Sequence, residues 1–493
     1  MVTSGVDGFG RARWVALAVL CSGLLMVILD GTVVTVALPA IQQDLGFSPA
    51  GLAWVVNAYL VPYGGLLLFA GRLGDLVGRR AVFRAGLAVF TVASVVCGAA
   101  GSAEVLVAAR FAQGIGGALA SAVIVGMIVT LFPQPGEQAR AIGVFAAVGA
   151  AGASIGVLAG GVLTRTVNWH WTFFVNAPIG VAAFLLAGRL IERDRGSGLR
   201  AGADAPGAVL VTGGLTVLVY AIVGAADHGW AAGRTVALLA LAAALLAGFA
   251  VRQVTAATPL MRPGLLRSRT VAGANGVQVL MVAAMYGFQF LAALYLQRVL
   301  GYDALATGLA YLPITISIGL LSVTASARLT TRYGARAVLL AGLLALTAGM
   351  LVLTRAPVTG QYARDVLPAM LLLGLGAGLS LPAVTTLGMS GVAPAEAGLA
   401  SGLVNTTQQF GAALGLSVLA LLAQTRTGTL RAHGTGATTA LTEGYHLAWL
   451  VGTGLLAAAL LAAALTLPAQ VRQTARDTPE SATLIEQRSP SRG

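Results

Sequence analysis

Gly71-Arg72-Leu73-Gly74-Asp75-Leu76-Val77-Gly78-Arg79-Arg80, read as GRLGDLVGRR, lies between two apolar runs and decides the class of fold. Hydrocarbon satisfies neither its charges nor an open, glycine-rich backbone. The stretch therefore predicts a short, sharply folded loop at a membrane face, with a membrane-crossing helix on each side.

Working outward, apolar runs of about 20 residues, each long enough to cross about 30 Å of hydrocarbon, recur fourteen times between Trp14 and Leu467. The first covers 14–38, the second 50–70, the thirteenth 399–423 and the last 445–467. Charged residues make up 10% of the chain and the mean hydropathy is +0.86. Those values, with abundant glycine, fit a membrane protein and exclude an ordinary soluble one. The run 14–38 is too long for a cleaved signal peptide and carries Asp30, so it is expected to be the first transmembrane helix.

The net charge of +13 would suggest nucleic acid in a soluble protein, but its placement argues otherwise. All thirty basic residues are Arg; 22 lie in or beside the tails and even-numbered connections, seven on the opposite side, and Arg110 within a span. The positive-inside rule then places both termini in the cytoplasm of a plasma-membrane protein, with no nucleic-acid partner. Cys21 and Cys97 fall inside spans and read as packing residues.

The chain carries a faint internal repeat. Arg328–Arg336 (RLTTRYGAR) aligns with Arg72–Arg80, with Arg72/Arg328, Leu73/Leu329, Gly78/Gly334 and Arg80/Arg336 identical and Thr331 at the place of Asp75. Two related six-helix halves produce such repeats. The two loops stand eight spans apart, whereas plain halves would set them six apart, so two extra helices lie between. The expected organisation is a tail 1–13, a first half 14–191, a linker 192–206, the inserted pair 207–251, a linker 252–270, a second half 271–467, and a disordered tail 468–493. The first linker, with Gly196, Gly198 and Gly202, reads as flexible. No segment outside the membrane is long enough for a nucleotide-driven motor, and no phosphate-binding G-x-x-x-x-G-K-[ST] occurs.

Asp30 is the only acidic residue well inside a predicted span, and Arg110 the only basic one. Intramembrane ionisable groups point by default to function, here a proton or cation site; a carboxylate locked in a structural ion pair is the plainer alternative. Counted from the outer ends of their helices, Asp30 lies about 12 Å deep and Arg110 about 9 Å. A lone buried charge costs several kcal/mol, so the two are expected to pair. Burial and a neighbouring guanidinium act in opposite senses on a carboxylate's proton affinity, so a small movement would transfer the proton.

Several motifs now carry a family resemblance, over about 460 residues. GRLGDLVGRR resembles the loop between the second and third helices of major facilitator superfamily transporters, G-x-L-x-D-x-x-G-R-R/K. Leu29–Pro39 (LDGTVVTVALP) resembles the first-helix motif of that superfamily's drug:proton antiporters, with Thr35 where Asn is usual. Arg110–Ala118 (RFAQGIGGA) resembles the fourth-helix motif R-x-x-Q-G-x-G. Gly143, Gly152, Gly156, Gly160 and Gly161 follow the spacing of the fifth-helix antiporter motif, with Val157 at its proline; read alone, they form a close-packing glycine face. Trp169–Gly180 resembles the signature opening the sixth helix, with His170 at its Arg; on composition alone it reads as an interfacial aromatic belt.

The resemblance, to the fourteen-helix EmrB/QacA branch, implies an all-α integral membrane protein of the major facilitator fold that exports amphipathic drugs or antibiotics against protons. It makes Asp30 and Arg110 the coupling pair, and Gly71, Asp75, Gly78, Arg79 and Arg80 a gating loop. Helices one and four would flank one central cavity. Candidate cavity residues are Gln113, then Asn275, Gln278, Tyr286 and Gln289 along one face of the ninth span, and Asn405, Gln408 and Gln409 in the thirteenth. Such stripes suit a wet cavity or, equally, interhelical hydrogen bonds.

The runner-up is a sibling exporter of one antibiotic, siderophore or amino acid. With one membrane carboxylate, monovalent, zwitterionic or neutral cargo fits better than dications. The four histidines, His170, His228, His433 and His446, lack metal-ligand spacing, and no Ser/His/Asp arrangement is in view, so an enzyme is disfavoured. No filter-like segment or charged ring suggests a channel. No cofactor or metal is expected, the proton gradient being the energy source, and a monomer in the bilayer is the expected form.

Overall fold

The computed structural model describes residues 4–49, 51–194, 196–198, 202–261, 263–392 and 397–468. The expected disordered tail thus lies outside the described residues apart from its first position. Among the described residues fourteen helices are long and apolar enough to cross a membrane. They are α1 (Ala12–Leu45), α2 (Ala53–Val77), α3 (Arg79–Gly98), α4 (Ala103–Leu131), α5 (Gly136–Thr166), α6 (Trp171–Leu190), α7 (Ala205–Ala225), α8 (Gly233–Thr255), α9 (Arg269–Arg298), α10 (Ala304–Tyr333), α11 (Ala335–Leu353), α12 (Tyr362–Gly388), α13 (Leu399–Ala432) and α14 (Ala437–Thr466). The face of the bundle where α2 turns into α3 is called the near face, and the opposite one the far face.

Local chemistry sets several starts. Ser102, Asp204, Ser268 and Asp303 each accept a hydrogen bond from the third residue on, capping α4, α7, α9 and α10. Several helices outrun their apolar spans. Past its apolar span α1 carries Pro39 and the polar Gln42 and Asp44, yet the helix runs on to Leu45. Likewise α13 runs to Ala432 and α14 begins at Ala437.

The loop expected over Gly71–Arg80 is a correction. Helix α2 continues to Val77 and α3 begins at Arg79, so Gly78 alone makes the turn, with φ 99° and ψ 130°. A short polar segment need not be a loop when helical hydrogen bonds already satisfy its backbone at the membrane face. Gly334 repeats the device between α10 and α11, with φ 85° and ψ 150°.

That shared turn belongs to a wider duplication. In the first half α1 packs on α5 and α6, α4 on α2 and α3, and α3 on α6. In the second, α9 packs on α13 and α14, α12 on α10 and α11, and α11 on α14. A close glycine crossing recurs as well. Gly86 and Gly116 bring α3 onto α4, where a Cβ at Gly116 would lie 2.9 Å from the Gly86 carbonyl. Gly342 and Gly376 do the same for α11 and α12, at 2.6 Å.

The halves meet along two seams, α2 against α13 and α5 against α10. Inserted helix α7 lies on both α2 and α13 and covers the first seam, with Gly65 against Thr212 and with Leu421 packed on Ile222 and Ala225. Helix α8 packs mainly on α7 and exposes most of its surface. Val209, Val254, Leu344, Leu461 and Leu465 point outward, as suits a protein whose solvent is lipid.

Candidate functional site

The interior of the first half is closed around Asp30, which is 0% exposed. Helices α4 and α6 supply its direct partners, and α2 and α3 hold those in turn. Arg110 of α4 donates from Nη1 to Asp30 Oδ2. Gln113, one turn further along α4, donates to Oδ1 at 2.7 Å, and Asn176 of α6 donates to the same oxygen at 3.1 Å. Both amides also donate to Ser94 Oγ of α3, at 2.8 and 3.1 Å. Arg110 is held from behind as well, its Nε donating to the Val55 carbonyl of α2 at 2.9 Å and its Nη1 to Gln113 Oε1 at 2.8 Å. Its guanidinium lies 4.5 Å from the Tyr59 ring centroid.

Sequence position explains how these groups converge. Arg110 and Gln113 are three apart and share one face of α4. Asn176 opens the second segment of α6, which is interrupted at Val175. Cys97 donates from Sγ to Gln113 Oε1 at 3.6 Å, so this thiol joins the cluster besides packing.

A cavity of about 350 Å³ lies between the halves. Arg110 lines it whereas Asp30 does not, so the guanidinium stands between the carboxylate and the cavity. Tyr59 and Tyr63 contribute from the first half, and Tyr286, Gln289, Gln408 and Gln409 from the second.

The other cavity candidates sit elsewhere. Gln113 is committed to Asp30 and Ser94 behind the cavity wall. Asn275 accepts from Thr407 at 2.8 Å and Gln278 donates to the Val404 carbonyl at 3.3 Å, joining α9 to α13. Asn405 is exposed and bonds to Ser401 O of its own helix at 3.0 Å. The polar stripe on α9 therefore divides along the helix axis. Tyr286 and Gln289 reach the cavity, and its two earlier members are interhelical.

The fifth-helix glycines pack α5 against the helix that carries Asp30. A Cβ at Gly156 would collide with Thr32 Oγ1, one at Gly160 would lie 2.6 Å from Val33 O, and one at Gly152 would lie 2.9 Å from Leu25. Gly161 faces the other half, with Ala304 O at 2.7 Å. Gly143 meets nothing within 4 Å. The α5–α10 seam is thus tight toward the far face, where Gly161 meets Ala304. Gln297 to Val36 O at 3.1 Å, Arg298 to Gln42, and Arg165 with Asp303 at 3.2 Å also join the halves at the far face.

At the near face Asp75 pairs with Arg79 at 3.1 Å, and Arg79 also donates to the Gly126 carbonyl of α4 at 3.1 Å. Arg80 donates to the Gly188 carbonyl of α6. Gly71 is half-buried with open space beside it. Described residues of the linker strap this turn. Asp194 accepts from the amides of Arg79 and Arg80 at 2.5 and 3.1 Å, capping α3. The Ser197 and Gly198 amides donate to Asp75 O and Leu76 O at 2.9 and 3.0 Å. Only charge marked Asp194 in the sequence, and nothing there told which helix end it serves.

Asn176 stood inside a stretch singled out in the sequence without a role of its own, and Ser94 was not singled out. Asn57, beside Tyr59, donates to Ser417 Oγ at 2.9 Å and ties α2 to α13. His170 places Nδ1 2.8 Å from Gly98 O, and its ring stacks on Trp169 at 3.8 Å, a far-face anchor remote from the cavity.

Known proteins resemble this arrangement at two levels. In fold, a nucleoside transporter, NupG, superposes with a TM-score of 0.64 at 13% identity, covering 92% of this chain and 100% of that one. A bacterial homologue of the human lysosomal transporter Spinster gives 0.64 at 18%, covering 92% and 98%. In sequence, the puromycin resistance protein pur8 of Streptomyces alboniger is 40% identical over 467 residues, covering 93% of this chain and 92% of that protein. The cephamycin export protein CmcT of Amycolatopsis lactamdurans is 38% identical, covering 93% of each. The tetracenomycin C resistance and export protein of Streptomyces glaucescens is 36% identical, covering 86% and 78%. Residues 20–416 match the model of the Major Facilitator Superfamily. With duplicated halves around one cavity and relatives this similar over nearly its whole length, the chain belongs to the Major Facilitator Superfamily.

Proposed function

We propose that this protein exports antibiotic-like small molecules across the plasma membrane in exchange for protons, by alternating access of the cavity to the two faces. The observation that carries the reading is the Asp30–Arg110 pair, with the carboxylate sealed behind a guanidinium that faces the cavity. Protonating Asp30 removes the charge that holds Arg110, and Arg110 is the group through which the cavity senses that change. Gln113 and Asn176 donate to Asp30 Oδ1 and hold the carboxylate in place. The arginine distribution supports a cytoplasmic near face. The far-face contacts then describe a state closed to the outside. The protein acts as a monomer, needs no cofactor and performs no covalent chemistry.

A second reading, export of one antibiotic, draws support from the relatives, three of which are named for single compounds. The near absence of charge on the cavity wall suits neutral, zwitterionic or monovalent cargo in both readings.

The test is proton release from acidified inside-out vesicles on adding cationic, neutral and anionic compounds, puromycin among them. The expected result is cargo-dependent release by the wild type and none by Asp30→Asn. Equal release by both would move the proton site elsewhere, and silence across a broad panel would favour the narrow reading.

A further inference from the structure

The α7–α8 hairpin is fastened differently at its two ends. At the near face Asp204, Arg252 and Gln253 satisfy one another. At the far face a hollow of about 190 Å³ lies between the start of α2, the end of α7 and the start of α8. It is separate from the cavity, with which it shares no lining residue.

Its chemistry is cationic. Arg234 donates from Nη2 to the Tyr220 hydroxyl at 2.6 Å, and its Nη1 lies 3.4 Å from His228 Nε2. Among the described residues no carboxylate pairs with it. Helix α8 begins here with no side-chain cap on its first amides, which form the positive end of the helix. Thr235, in that first turn, is only 3% exposed and lines the hollow. Among the described residues its hydroxyl has no hydrogen-bond partner. The residue is buried but its hydroxyl is not among the sealed polar atoms of the bundle, so it is free to bond to a ligand in the hollow.

We propose that the hollow binds a phosphate oxyanion, held by the Arg234 guanidinium, the Thr235 hydroxyl and the first amides of α8. The bound group would join the start of α2 to the hairpin at the far face, as Asp204 closes the hairpin at the near one. Trp54 and Tyr220 wall the hollow and Trp230 is exposed nearby, an aromatic setting found at headgroup depth. That depth favours a phospholipid headgroup over free phosphate as the source.

The test is thermal unfolding of the full-length protein in a phosphate-free, uncharged detergent. Phosphatidylglycerol, diacylglycerol with the same acyl chains, and inorganic phosphate are titrated separately. Phosphatidylglycerol is expected to raise the wild-type Tm saturably, and diacylglycerol to leave it unchanged. Arg234→Gln should weaken the phosphatidylglycerol response by about tenfold or more, the loss of one hydrogen bond to a charged group. Thr235→Val keeps the volume and breaks no existing bond, so its Tm without lipid should not fall, while its response to the lipid weakens. A saturable rise with inorganic phosphate alone, lost in the same variants, would support the oxyanion site and name free phosphate as its source. Equal responses of the wild type and both variants, or of phosphatidylglycerol and diacylglycerol, would overturn the proposal.

Discussion

Asp30 and Arg110 pair in the interior of the bundle, and of the two only Arg110 touches the cavity. Removing one partner strands the other charge, at a cost of about 3–5 kcal/mol. Arg110→Gln is therefore expected to unfold well below the wild type. The double variant Asp30→Asn/Arg110→Gln should recover part of that loss, because two amides leave no buried charge. Thermal unfolding of both single variants and the double one closes the cycle. If the two single losses simply added, the pair would have no coupling energy and the reading of the site would need another basis.

The glycines of α5 divide by what they face. Gly160 lies against Val33 of α1, and a Cβ there, 2.6 Å from a backbone oxygen, forces the two helices apart. Gly143 faces open space, and alanine is the better helix former. Gly160→Ala should cost folded yield and transport, whereas Gly143→Ala should stay within about 0.5 kcal/mol of the wild type. Size-exclusion profiles and efflux assays of both variants check this. Comparable losses in both would mean that α5 closes on a partner along its whole length.

Fourteen helices, the duplication and the inserted pair were legible because each has a one-dimensional signal: apolar length, a repeated glycine–arginine pattern, and the spacing of its two copies. The pairing of Asp30 with Arg110 was legible because two lone charges at similar depth leave few alternatives. What stayed hidden depends on side-chain direction in three dimensions. Nothing in helical periodicity separates Gln278, bonded to α13, from Gln289 at the cavity, since both fall on one stripe of α9. Ser94 and Asn176 complete the Asp30 cluster from α3 and α6, and no spacing rule links four helices.

The Gly78 turn and the linker that straps it form one unit. Gly78 has φ 99°, a conformation that costs other residues about 1–3 kcal/mol, and a Cβ there would lie 2.7 Å from Asp194 O. Asp194 caps α3 through two amides, and such caps contribute about 0.5–2 kcal/mol. Asp194→Ala should therefore loosen the near face by about that amount, with Asp194→Asn intermediate because the amide oxygen still accepts. Proteolysis or hydrogen exchange of the linker and the start of α3 reads the effect. Unchanged protection in Asp194→Ala would show that the Ser197 and Gly198 bonds hold the strap unaided.

Asp204 gives the inserted hairpin an acid-sensitive clasp. Burial pushes its carboxyl up, but hydrogen bonds from Arg252, the Gly207 amide and Gln253 outweigh that and hold it below the usual carboxylate range. A folded-state value below the unfolded one means that the folded protein resists protonation. The stabilisation is complete above the unfolded value, about 4, and fades as pH falls through the lowered folded value. Asp204→Asn keeps an acceptor for Gly207 but lacks the charge that draws Arg252. Its Tm should lie below the wild type near neutral pH, and the gap should narrow as the pH is taken below about 4. A gap of constant size down to strong acid would assign the effect to packing of the amide, and the carboxylate charge would then have no part in closing α7 on α8.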